Sequence, residues 1–125
     1  MTSSASSRLP SVEPDEARDM LSGDALMIDV RDAHEWAAGH SPHSVHVPLD
    51  SLSTSIPYTT HERRVIVVSR SGRRAKQVVV RLRAAGIDAV LLDGGLRAWI
   101  RAGGEFVADH GRTPHIVGPT HSRHA

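Results

Sequence analysis

No cysteine occurs among the 125 residues of this chain. That excludes disulfides, thiolate-ligated zinc and thiol catalysis by its own side chains. Aromatic residues are nearly as scarce: Trp36, Tyr58, Trp99 and Phe106 are all of them. The core must therefore be aliphatic, built from Val, Leu, Ile and Ala. No apolar run approaches the ~20 residues of a membrane-crossing helix. Neither charge sign dominates, with 15 Lys and Arg against 14 Asp and Glu, so nothing draws the whole chain to nucleic acid or a membrane surface. Met1–Ser7 is serine-rich and lacks an apolar signal-peptide segment, which points to the cytoplasm.

What the chain does have is a strand that runs into a basic loop. Val65–Ala75 reads VIVVSRSGRRA. Its first four residues are the continuous apolar run of a buried strand. Ser69-Arg70-Ser71-Gly72-Arg73-Arg74 follows as a polar loop, and a helix begins. Ala75, Val78, Val79, Leu82 and Ala85 keep the helical i, i+3, i+4 spacing on one face, and Gly86 ends it. A tight loop at a helix N-terminus gathers backbone N–H groups, which suits an anion.

The same alternation holds along the chain. Ser11 is expected to cap a helix over Val12–Leu21 with Pro14 in its first turn. Ala25–Val30 reads as a strand, and Asp32 as the cap of a helix over Ala33–Ala38 that Gly39 closes. A strand is expected near His46–Pro48, a short helix over Asp50–Ile56 and a loop over Pro57–Glu62. Val90–Leu92 is a further strand, and Leu96–Ala102 a helix stopped by Gly103-Gly104. Residues 1–9 are expected as a disordered arm, 10–107 as the folded domain, and 108–125 as a disordered, histidine-containing tail that contributes little to stability. Strands alternating with helices imply a single three-layer α/β domain, a central parallel sheet with helices on both faces. In such sheets ligands sit at the carboxyl ends of strands, where Ser69 stands.

Four blocks, in order, resemble the rhodanese-like sulfurtransferase family. The loop is similar to that family's active-site pattern C-R-S-G-x-R, with Ser69 in the cysteine's place. Ile28-Asp29-Val30-Arg31, followed by Glu35 and Gly39-His40, resembles its first box. Val45–Leu49 is similar to its short strand and proline, and Asp93-Gly94-Gly95 with Trp99 to its closing box D-G-G-x-x-x-W. The match runs over residues 10–107. At the position of His43 the family often has a glycine, which would supply a positive φ that histidine tolerates less well.

The resemblance implies a cysteine thiolate that takes sulfane sulfur from a donor such as thiosulfate and passes it on, with no cofactor. Ser69 cannot do this, because an unassisted hydroxyl is a poor nucleophile and forms no stable persulfide. An adjacent base could activate a serine, and His40 is the nearest candidate. Arg70, Ser71, Gly72, Arg73 and Arg74 would still form an anion-binding loop for a small oxyanion. Asp29 and Arg31 are expected to be structural, the carboxylate satisfying loop amides and the arginine pairing with Glu35 or a neighbouring acid. Asp93, Gly94 and Gly95 should shape a turn beside the loop, and Trp36 and Trp99 should be core.

Histidines 34, 40, 43 and 46, and 110, 115, 121 and 124 in the tail, lack the i, i+4 spacing with an acid of a helical zinc site, so no metal is expected. Arginines 63, 64, 70, 73, 74, 81 and 83 lack interleaved aromatics and read as a solvated face plus the anion loop rather than a nucleic-acid patch. Three functions remain open. One is a cysteine-less module that binds an anion or a protein partner. Another is a thiosulfate sulfurtransferase whose single cysteine, at position 69, has been replaced by serine. The third is a phosphatase of the dual-specificity kind, whose similar loop is one residue longer.

Overall fold

Val65–Val68 is apolar at every position because both faces of its strand are covered. The computed structural model of the chain describes residues 9–51 and 62–118. Five strands form one sheet: β1 (Ser11–Val12), β2 (Leu26–Asp29), β3 (Ser44–His46), β4 (Val65–Val68) and β5 (Ala89–Leu92). Their order is β1-β5-β4-β2-β3, and every pairing is parallel. Helices α1 (Pro14–Ser22), α2 (Ala33–Ala38), α3 (Arg73–Ala84) and α4 (Gly95–Arg101) connect or follow them. None of the described helices is long and apolar enough to cross a membrane.

Alternate residues of each inner strand feed different cores. Leu26, Ile28, Val65, Val67, Ala89 and Leu91 join Val78, Val79 and Leu82 of α3 on one face. Met27, Ile66, Val68, Val90 and Leu92 join Ala17 of α1 and Leu96 and Trp99 of α4 on the other. The two-residue side-chain period thus builds three layers from runs that do not alternate in polarity.

The first element differs from expectation. Ser11 does not cap a helix; Ser11-Val12 pairs with Leu91-Leu92 as an edge strand, and α1 starts after Glu13, with Pro14 in its first turn. Burying Val12 against the sheet is worth more than one extra helical turn, and proline's fixed φ suits the later start. Near the middle, a short 3₁₀ turn at Leu49–Ser51 stands at the start of the helix expected over 50–56. Residues 52–56 of that expectation, and most of the loop expected over 57–62, lie outside the described residues.

The segment after Val107 also departs from expectation, since residues 108–118 run along the body. Val107 bridges His40 by two backbone hydrogen bonds of 2.8 Å, and the His115 N–H donates to the Ala38 carbonyl at 2.9 Å. Ile116 packs on the core that holds Trp99. One isoleucine and one loop pair are too little periodicity to read from sequence. Removing residues 108–125 should cost about 1–2 kcal/mol, from one partly buried isoleucine and one backbone bond. We expect a fall in Tm of roughly 3–8 °C by calorimetry; an unchanged Tm would mean that these contacts contribute nothing.

Candidate functional site

Connections leave β2 toward β3 and leave β4 toward β5, in opposite directions along the strand order. The carboxyl ends of β2 and β4 therefore flank the point where strand order reverses, the place where such sheets hold ligands. Asp29 is in register with Val68 there, and Ser69 is the next residue.

Ser69 is buried, and its Oγ accepts the backbone N–H groups of Gly72 and Ala75, each at 3.2 Å. The loop closes on its own first side chain because Gly72 takes φ +107°, as the sequence anticipated for the bend. Two accepted bonds leave the Ser69 hydroxyl proton free to donate. Among the described residues, no histidine is hydrogen-bonded to Ser69. His40 instead donates from Nδ1 to the Trp36 carbonyl at 2.7 Å and stacks on the Trp36 ring, with centroids 3.6 Å apart. The Ser–His pairing considered from sequence is therefore absent.

The D-G-G box buttresses the loop from behind. The N–H of Leu96 donates to the Ser69 carbonyl at 2.9 Å, and that of Arg97 to the Arg70 carbonyl at 3.3 Å. Gly94 and Gly95 both have positive φ, while Asp93 is exposed and its N–H joins the Val12 carbonyl. The turn beside the loop is thus where the sequence put it.

In the first box Arg31 pairs with a neighbouring acid, as expected, while Asp29 takes different partners. Arg31 is fully buried; its Nε and one terminal nitrogen clasp the Asp29 carboxylate at 2.8–3.1 Å, and the same terminal nitrogen reaches the Gly39 carbonyl at 2.7 Å. Asp29 accepts one backbone amide, that of Arg31, and none from the Ser69 loop. Glu35, also fully buried, accepts the Asp32 N–H in a capping box and both terminal nitrogens of Arg74 at 2.6 and 2.8 Å. Of the two partners expected for Arg31, it takes the neighbouring acid Asp29, and Glu35 holds Arg74, which is tied down rather than offered to an anion. Hydrogen bonding to Glu35 raises the Arg74 pKa from its already high value, against the opposing effect of burial.

Arg70 and Arg73 keep guanidinium groups without a side-chain ion pair among the described residues. Arg70 is half-buried, and Arg73 and Ser71 are exposed at the helix start. His43 does not take positive φ; His110 alone does so among the described non-glycine residues. The His43 N–H donates to Ser41 Oγ, so a serine-stabilised turn replaces the glycine. Trp99 is core, with its indole N–H on the Glu105 carbonyl. Trp36 is not; it is half-buried and lies stacked against both His40 and His46.

A three-layer parallel α/β domain with an amide-lined loop at its switch point is the class of protein that fold and site define. The profile of the Rhodanese-like domain matches residues 13–102. A rhodanese-like domain protein from Staphylococcus aureus is 31% identical, with TM-score 0.68 over 78% of this chain and 97% of that one. A rhodanese homolog from Thermus thermophilus is 27% identical, with TM-score 0.58 over 72% of this chain and 100% of that one. A rhodanese-related protein from Thermoplasma volcanium, at 22% identity and TM-score 0.73 over 80% of this chain and 99% of its own, shares the fold. The chain belongs to the rhodanese-like domain family.

Proposed function

We propose that this rhodanese-like domain acts by binding: its Ser69 loop holds a small oxyanion such as sulfate, thiosulfate or phosphate, and it passes no sulfur through residue 69. The observation that carries this reading is the Ser69 Oγ at the meeting point of the Gly72 and Ala75 amides, where the family pattern has its thiol. The amides of Arg70, Ser71, Arg73 and Arg74 donate to no group among the described residues. Those donors, the positive end of α3 and the spare guanidinium groups of Arg70 and Arg73 favour negative charge. A hydroxyl forms no persulfide, so the loop supplies recognition without turnover. A regulatory or partner-binding role follows from that division.

Titration with sulfate, thiosulfate or phosphate should move the amide resonances of residues 69–75 first and saturably, at millimolar anion. Shifts scattered over the surface, or none, would make the loop a plain strand-to-helix connection.

A further inference from the structure

A cavity of about 460 Å³ lies between α2 and the segment after Val107. Seven of its ten lining residues follow residue 102, where the family match ends, and none belongs to the Ser69 loop. The cleft is therefore built mostly from the segment that follows the matched span, apart from the Ser69 loop. Its volume falls within the range of small-molecule sites.

Its lining mixes small apolar and polar side chains. Ala38, Ala108 and Val117 are half-buried, as is Asp109. His34 and Ala37 on α2, and His110, Arg112, Thr113 and His115 on the segment, are exposed. The Arg112 guanidinium makes no ion pair among the described residues, although Asp109 stands three positions away in the same lining. A free guanidinium presents a planar fork that matches a carboxylate. The imidazoles add N–H donors and ring faces. Asp109 opposes a multiply charged anion more than a singly charged one.

We propose that this cleft binds a small planar organic monoanion, its carboxylate on Arg112 and its apolar body over Ala38, Ala108 and Val117. A phosphate or sulfate would bring more charge toward Asp109 and would leave those apolar side chains uncovered. This site is independent of the Ser69 loop, so either can stand without the other.

Benzoate is the probe, with benzamide as its uncharged counterpart and inorganic phosphate as the compact anion. Each is titrated into the full chain to about 50 mM while amide shifts are followed. Benzoate should move residues 34–38 and 108–117 saturably, benzamide should bind at least tenfold more weakly, and phosphate should leave this set unmoved. R112Q should lower benzoate affinity at least tenfold, whereas R101Q, an exposed charge on α4, should not. Arg112 is exposed, so the fold should survive; A37E, at an exposed lining position, gives a second and independent loss by charge. The proposal is overturned if benzoate leaves the cleft unperturbed, if benzamide or phosphate binds there as well as benzoate, or if either R112Q or A37E binds benzoate undiminished.

Discussion

Ser69→Cys will give this protein a thiosulfate-to-cyanide sulfur transfer that the Ser69 form lacks. The balance is simple. The Cys thiolate attacks the outer sulfur of thiosulfate, a new S–S bond forms, the old one breaks and sulfite leaves. Cyanide then attacks the terminal sulfur, thiocyanate departs and the thiolate is restored. The Gly72 and Ala75 amides that now meet the hydroxyl would meet the sulfur and hold its pKa down. Serine and cysteine are nearly the same shape, so the buried position should accept the change. We expect thiocyanate formation to rise by roughly two orders of magnitude or more over the parent, because a partly ionised thiol replaces a neutral hydroxyl. Mass spectrometry after thiosulfate treatment should show one added sulfur atom. A folded Ser69→Cys protein that takes up no sulfur would mean the loop cannot admit thiosulfate at all. Turnover by the Ser69 form itself would refute the binding reading.

Gly95→Ala should be a severely damaging single-methyl change. Gly95 has φ +64°, and a Cβ there would stand 2.6 Å from the carbonyl oxygens of both Ser69 and Arg70. Those oxygens are backbone and already accept the N–H groups of Leu96 and Arg97, so they cannot swing aside without opening the loop. Backbone strain and the clash together should cost roughly 3–5 kcal/mol, a fall in Tm of roughly 10–20 °C. Gly86→Ala separates the two causes. Gly86 has φ +87° with nothing within 4 Å of its would-be Cβ, so only the strain of about 1 kcal/mol remains. Equal losses in the two variants would show that Gly95 is a glycine for its φ alone and that the D-G-G box does not buttress the loop.

Much of the fold was legible because its signals are local. The runs read at 25–30, 65–68 and 90–92 became β2, β4 and β5, and the 3.6-residue spacing after Ala75 became α3. Asp32 caps α2 and Gly72 turns left-handed, as their side chains, or lack of one, dictate. The misreadings are all tertiary. Ser11 looked like a cap because a two-residue edge strand has no period to detect, and residues 108–118 looked free because one buried isoleucine makes no pattern. His43 raised a doubt that a neighbouring serine hydroxyl resolves.

The sequence by itself determined the three-layer α/β class, the family and the absence of a thiol at residue 69, since composition, run length and residue order are properties of the chain alone. Which charges pair was decided only by the tertiary structure. Arg31, Glu35 and Arg74 are separated by few or many residues without regard to who meets whom. Burial forces each charge to find the one partner that the crossing of β2, α2 and α3 brings within reach. That choice takes Arg74 from the loop and leaves Arg70 and Arg73 without a side-chain ion pair among the described residues.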